Sequence, residues 1–194
     1  VPSQLALFAD DPPAPPIPGL RLVLDAITPE QEAQIAARID ASPLTPFQFG
    51  QWEGKRLTAN CGSAYDYQRA HPIPAPPLPE WLEDLRSQLA PLFEREPAAF
   101  LQGLLIRYDP GAGIGWHRDR PQYGEVIGLS LSAPATMRFR RKLPDGKFER
   151  VGVDLPPRSA YLLTGPSRSE WQHSIVPMEQ TRRSVTLRSM AESD

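Results

Sequence analysis

Apolar positions fall into two textures along this 194-residue chain, and the change comes near Gly103. Upstream the spacing is helical. In "TPEQEAQIAARIDAS" Ile35 and Ile39 stand four apart, and a full helix start precedes them: Thr28 as N-cap, Pro29 in the first helical position, Gln31 closing a capping box. "PEWLEDLRSQLAPLFE" places Leu82, Leu85, Leu89, Leu92 and Phe93 along one helical face, with Pro91 set to bend or end it. Ahead of both, "GLRLVLDAI" (Gly19 to Ile27) reads as a strand or entry segment.

Downstream the runs are short and rich in β-branched and aromatic residues: "LLIRY", "EVIGLSLS", "ATMRFRRK", "FERVGVDL", "RSAYLLTG" and "RSVTLRSM". Pro, Gly and Asp separate them, and "PDGK" (Pro144 to Lys147) is a hairpin signal. Alternation in "MRFRRK" and "SVTLRS" fits sheets with one buried and one wet face. The pattern predicts a mainly β fold with flanking helices (α+β): an antiparallel two-sheet sandwich or jelly roll, buttressed on one face by the two helices. No internal repeat is visible. The expected organisation is a Pro-rich arm over residues 1–19 and one domain over 20–194, with helical support in 20–100 and the β core in 101–190.

Composition changes this picture at three points. The chain holds 24 prolines, clustered in "DPPAPPIPG" (Asp11 to Gly19) and "HPIPAPPLP" (His71 to Pro79). The first reads as an extended arm and the second as a stiff connector, with a ligand for a proline-recognising partner as the alternative for either. Net charge is -2 and the pI is near 6, so no global basic field draws the chain to nucleic acid, and such contact needs a local basic patch. A single cysteine, Cys61, excludes an internal disulfide framework and fits a reducing, cytoplasmic setting. No run approaches the ~18 apolar residues of a membrane span, and a monomer is expected.

Candidate chemistry rests on few residues. Of three histidines, His71 precedes a proline in the connector and reads as an exposed loop residue. In "RYDPGAGIGWHRDR" a strand-like run leads through a Pro-Gly bend onto His117 and Asp119. Residues i and i+2 of extended chain point to one side, so both can reach one ion. Two histidines and a carboxylate on one face hold ferrous iron in oxygenases, and His173 is the remaining histidine that can complete such a set. The alternative is a strand-end histidine hydrogen-bonded to an aspartate. Arg182, Ser184, Thr186 and Arg188 share one strand face in "TRRSVTLRSM". Inside a jelly roll, two arginines need an anion to justify burial, and a dicarboxylate such as 2-oxoglutarate suits arginine's planar fork. A solvent-facing strand is the alternative.

In order, Tyr-x-Pro-Gly, His-x-Asp, "SRSEWQHSIVP" and Arg-x5-Arg resemble the AlkB family of Fe(II)- and 2-oxoglutarate-dependent oxygenases, from about Leu104 to Met190. "LPPRSAYLLTGPSRSEWQHSIVP" is similar to the branch with tRNA-modifying homologues. The resemblance implies a double-stranded β-helix, with His117, Asp119 and His173 as iron ligands. It implies Arg182 and Arg188 as carboxylate binders for 2-oxoglutarate, helped by Tyr108 and with Ser184 beside them, and O2 as the oxidant. It also implies that the N-terminal helical and hairpin extension forms a substrate lid.

That lid would be "FGQWEGKRLTANCGSAYDYQRA", with Tyr65 and Tyr67 on one strand face and Trp52, Lys55, Arg56 and Arg69 nearby. Aromatics that stack a base and cations for its phosphates suit base recognition. A hairpin packing its tyrosines on the core is the alternative. Arg120 and Gln122 stand just past the His-x-Asp motif, at the expected pocket mouth, and "RFRRK" (Arg138 to Lys142) reads as a phosphate track or a solvated strand face. The leading expectation is oxidative removal of N-alkyl groups from DNA or RNA bases, with formaldehyde release. Hydroxylation of a tRNA base or a protein side chain comes second, and a non-enzymatic jelly-roll binding module third.

Overall fold

The computed structural model describes residues 17–49, 51–66, 71–74 and 76–191. In chain order the elements are β1 (Leu20–Val23), α1 (Pro29–Asp40), β2 (Thr45–Phe49), β3 (Trp52–Cys61), β4 (Ser63–Asp66), β5 (His71–Pro74) and α2 (Glu80–Leu89). There follow β6 (Phe100–Tyr108), β7 (Ile114–His117), β8 (Tyr123–Leu131), β9 (Ala135–Lys142), β10 (Phe148–Leu155), β11 (Ala160–Leu163), α3 (Gly165–Ser169), β12 (Gln172–Ile175) and β13 (Arg182–Met190). One sheet runs β1-β11-β8-β13-β6-β3-β2, a second runs β10-β9-β12-β7, and β4 pairs with β5 alone. Every described pairing is antiparallel. This is the mainly β, antiparallel architecture that the pattern predicts. No helix among the described residues is long and apolar enough to cross a membrane.

Strand parity divides the central strands of the larger sheet. Leu105 on β6, Ile127 and Leu129 on β8, and Val185 and Leu187 on β13 pack against Ile35 and Ile39 of α1 and Leu82, Leu85 and Leu89 of α2. The two helices thus cover one face, as expected. The other parity of the same strands is mixed and turns toward the second sheet: Gln102, Ser130, Arg182, Ser184 and Thr186 are buried there beside Leu104, Ile106 and Val126, so the face of "SVTLRS" expected to be wet is covered by the opposite sheet. A second cluster closes one end of the sandwich, joining Met137 and Phe139 of β9 to Val153, Leu155 and Trp171.

The capping box forms as read, with Thr28 Oγ1 accepting from Gln31 N (3.2 Å) and Gln31 Oε1 accepting from Thr28 N (2.9 Å). "PDGK" turns the β9–β10 hairpin, where Gly146 takes a positive φ of 85° that most side chains resist. Three details differ from the expectation. The second helix ends at Leu89 and a tighter 3₁₀ turn, Ala90–Phe93, follows, because Pro91 has no N–H to continue the α ladder. Tighter winding keeps Phe93 buried and turns Leu92 out. Half of the proline connector is strand: Pro72 and Pro74 lie on β5, a position proline tolerates only at a sheet margin. Ile17, assigned to the arm, is fully buried in the second cluster, while residues 1–16 lie outside the described part.

The contrast at α2 yields a test. Leu82→Ala is expected to lower stability by about 2–5 kcal/mol, as for other fully buried leucines, whereas Leu92→Ala stays within about 0.5 kcal/mol. Urea unfolding of the two variants beside the parent reads the difference.

Candidate active site

Between the two sheets lies a cavity of about 1460 Å³, lined by the polar parity of the larger sheet on one side and by β7 and β12 on the other. Pairing of those two short strands sets His117 directly opposite His173. Their ring centroids are 4.3 Å apart, tilted by 59°. His117 Nδ1–H donates to the Gly115 carbonyl (2.9 Å), which leaves Nε2 with its lone pair. Asp119, two residues beyond, lines the same cavity, and its Oδ2 lies 3.9 Å from His173 Nε2.

Arg188 of β13 crosses the cavity to this carboxylate. Asp119 Oδ1 accepts from Arg188 Nε (3.1 Å) and Nη2 (2.8 Å), with both side chains nearly buried. The third nitrogen, Nη1, donates to Gln102 Oε1 (2.9 Å), and Gln102 Nε2 donates to Asn60 Oδ1 (3.0 Å) on β3. Burial alone would raise the Asp119 pKa, but the Arg188 charge holds it below the usual carboxylate range. Burial, then the neighbouring His117, pushes His173 down to about 3, and burial also lowers His117. At neutral pH the cluster is therefore two neutral imidazoles beside one ionised carboxylate.

Arg168 of α3 fixes the backbone that presents Asp119. Its guanidinium donates to four carbonyls of the β7–β8 loop and the start of β8: Asp119 (3.0 Å), Arg120 (2.5 Å), Tyr123 (2.7 Å) and Gly124 (2.9 Å). Five donors in a rigid fork allow one side chain to hold a whole turn. Arg168 sits inside the quoted "SRSEWQH", but the sequence reading assigned it no role.

Arg182 is buried and has room for a guest. Nη2 donates to Ser130 Oγ (3.1 Å), while Nε and Nη1 find no hydrogen-bond partner. A buried guanidinium left this open is costly unless an anion completes it. Its carbon lies 5.3 Å over the Tyr108 ring, and Tyr108 and Ser184, both buried, line the same wall. A solvent-facing strand is thereby excluded for this face. Tyr161, which sequence reading missed, also lines the cavity, and burial pushes its hydroxyl up to about 12. Its ring occupies space that only a glycine at 128 leaves, since a Cβ there would fall 2.0 Å from Tyr161 Cζ.

Toward the β2–β3 side, Arg56 stacks on Phe47 with its carbon 3.8 Å from the ring centroid, and both line the cavity, as does Arg120. Trp52 lies on β3 and Tyr65 on β4, but their side chains, and Tyr67 altogether, fall outside the described part. His71 lies on β5, away from the histidine pair in sequence and sheet. Among the described residues no three His, Cys, Asp or Glu side chains form a ready-made ligating set. Arg188 holds one Asp119 oxygen, Oδ1, and leaves Oδ2 on the side of the paired imidazoles. In identity and charge the three donors still suit a ferrous ion, which takes imidazole nitrogen with carboxylate oxygen.

A family model described as the 2OG-Fe(II) oxygenase superfamily matches residues 26–192. An uncharacterised protein of Acanthamoeba polyphaga mimivirus is 28% identical over 188 residues, covering 89% of this chain and 85% of that protein. The Xenopus tropicalis tRNA (carboxymethyluridine(34)-5-O)-methyltransferase alkbh8 is 32% identical over 168 residues, covering 82% of this chain but 25% of that protein. The human alpha-ketoglutarate-dependent dioxygenase alkB homolog 3 is 29% identical over 155 residues, 72% of this chain and 53% of that protein. The chain thus spans a quarter to a half of these last two. The solved structure of OsALKBH1 matches with a TM-score of 0.65 over 89% of this chain and 97% of that one, at 16% identity, which is a likeness of fold.

Two measurements follow from the site's geometry. Unfolded imidazole titrates near 6.5, folded His173 near 3, so between those values the unfolded chain binds more protons and stability falls as pH drops. Metal-free protein is expected to lose about 2 kcal/mol on this account between pH 7 and 5, and urea unfolding of His173→Asn should show a flatter profile. Arg168→Ala is expected to speed amide hydrogen exchange over residues 118–124 while α1 and α2 stay protected. Arg168→Lys should restore little, because one ammonium cannot span four carbonyls.

Proposed function

Because this chain belongs to the 2OG-Fe(II) oxygenase superfamily, we propose that it uses iron, 2-oxoglutarate and dioxygen to remove N-alkyl groups from nucleic-acid bases. The observation that carries the oxygenase part is the cavity's pairing of two opposite halves. One half is a donor set of His117, Asp119 and His173, neutral, anionic and neutral; the other is Arg182 with two buried nitrogens unpartnered. The first half would hold iron and the second the far carboxylate of 2-oxoglutarate, with Tyr108 and Ser184 alongside. Bound there, iron and 2-oxoglutarate supply the oxidising power for hydroxylating a C–H bond. A hydroxymethyl group on a base nitrogen then breaks down to the free base and formaldehyde.

The two arginines divide the work. All three Arg188 nitrogens already donate, to Asp119 and Gln102, so its part is to keep Asp119 ionised and turned toward His173. Arg182 is the one with whole nitrogens, Nε and Nη1, left without a partner. Arg168 holds the loop behind Asp119, and the low proton affinity of both histidines keeps their nitrogens free for a metal at neutral pH.

Size supports a second, larger guest. Ordinary small-molecule pockets measure roughly 300–1,000 Å³, and about 1460 Å³ exceeds what a five-carbon diacid fills. Phe47 and Arg56, a ring and a cation on the β2–β3 wall, suit a base and its phosphate, Arg120 lines the same cavity, and the sequence offers Trp52, Tyr65 and Tyr67 as further stacking groups. The likeness to alkbh8, named for tRNA, favours as a second reading the hydroxylation of a tRNA base without loss of a carbon.

The test is product analysis with iron-loaded protein offered N1-methyladenine and N3-methylcytosine in single-stranded DNA, duplex DNA and tRNA. Succinate with formaldehyde is expected, and His117→Ala should give neither. Succinate with a hydroxylated tRNA base and no formaldehyde selects the second reading. Arg182→Gln should raise the KM for 2-oxoglutarate by about 100-fold, the loss of a charged, buried pair of hydrogen bonds.

A further inference from the structure

The outer face of the smaller sheet carries a charge pattern that neither the core nor the cavity uses. In the β9–β10 register Arg140 stands directly opposite Arg150, Arg138 opposite Gly152, and Lys142 opposite Phe148. Their parity is opposite to that of the buried Met137, Phe139 and Val153, so this set faces away from the cavity. On β12 Gln172 and Ser174 continue the same rows and accept hydrogen bonds from Arg140 Nε (2.8 Å) and Arg138 Nε (3.1 Å). Trp116 of β7 joins them, with the Arg140 and Arg138 guanidinium carbons 4.5 and 5.1 Å from its ring centroid. Phe148 takes Arg140 at 4.6 Å and Arg150 at 5.5 Å.

The counter-charge on this face is small. Asp154 accepts from Thr136 (2.7 Å), and Glu149 and Glu170 pair with Arg141, which has the other parity. Like charges directly opposite in an antiparallel pair destabilise it, and Arg140 facing Arg150 is a cost that Gln172 and the two rings soften but that no carboxylate described on this face neutralises. A polyanion would offset it. Arginines interleaved with flat aromatic rings match a nucleic-acid strand better than an acidic peptide, because rings stack bases while the guanidinium groups take phosphates. Topology supplies the route. β7 is an edge strand whose alternation turns His117 into the cavity, while Trp116, which also borders that cavity, sets its ring against Arg138 and Arg140 at the rim of the same sheet.

We propose that this outer face binds the single-stranded nucleic acid flanking the nucleotide in the cavity, with Arg138, Arg140 and Arg150 on its phosphates and Trp116 at the turn round the β7 edge. The assignment rests on the nucleic-acid reading of the cavity.

The test compares a methylated 15-nucleotide DNA with a methylated trinucleotide, too short to reach round the edge. The parent is expected to prefer the long substrate in kcat/KM. Combined Arg138→Gln, Arg140→Gln and Arg150→Gln should remove that preference and reduce the slope of log K against log salt by about 2, since each single-strand phosphate contact is worth ~0.7. Arg150→Glu alone should act in the same direction while leaving the melting temperature no lower, because it turns a like-charged pair into an ion pair. Unchanged length preference and salt slope, with both oligonucleotides still turned over, overturn this platform and leave the cavity reading intact. If the parent neither binds nor turns over either oligonucleotide, the nucleic-acid reading itself fails. Polyglutamate bound by the parent as tightly as the 15-mer overturns the assignment and gives the face to an acidic protein.

Discussion

The contact on which the site depends is the ion pair between Arg188 and Asp119. It ties β13, a central strand of the larger sheet, to the loop that follows β7 of the smaller one. A charge this buried is tolerated only with its partner; removing one member of such a pair typically costs about 3–5 kcal/mol because the other is stranded. The pair is also directional. With both bonds falling on Oδ1, Oδ2 is turned to the His173 side. Through Gln102 the same guanidinium reaches Asn60, so the carboxylate's position is linked across the sheet to β3, the strand beside the cavity wall where Arg56 stands.

A polar cavity of this kind is possible because the larger sheet divides its labour by parity. Leu105, Ile127, Leu129, Val185 and Leu187 on one face meet α1 and α2 and form the main apolar core. Released from core duty, the opposite parity can hold Gln102, Ser130, Arg182, Ser184 and Thr186. The helices are therefore not accessories. Without an apolar layer on the far face, strands carrying buried arginines would have too little burial to hold them in place.

Electrostatics complete the arrangement. Burial disfavours charge on the histidines, while Arg188 favours it on Asp119, so one environment yields neutral nitrogen and anionic oxygen within a few ångströms. Two cations, Arg188 and Arg182, stand on one strand six residues apart, yet their circumstances differ: every nitrogen of the first donates to a partner, while two buried nitrogens of the second have none.

Much of this was legible in the residues. Alternation in "MRFRRK", the capping box at Thr28 and the "PDGK" turn are local signals, decided by backbone geometry within a few residues, and they appear in the structure as read, whereas the face of "SVTLRS" expected to be wet is buried, because the second sheet covers it. The pairing of His117 and Asp119 in one cavity follows from their spacing, and the ordered motifs from Tyr108 to Arg188 pointed to the same family that the comparisons reach. What lay beyond reach needed contacts between distant segments. Arg168 and Gln102 look like ordinary surface and strand residues until folding sets one under the Asp119 loop and the other beside Arg188. Whether Arg182 and Arg188 act alike is likewise not a matter of spacing, because it depends on which carboxylate and which hydroxyl the opposite sheet presents. The sequence by itself determined which residues could do chemistry and which face of each strand they occupy, since both are set by residue type and a period of two. Only the tertiary structure decided which of those groups find a partner at every nitrogen and which are left open, because hydrogen-bond partners inside a sandwich come from strands far apart in the chain.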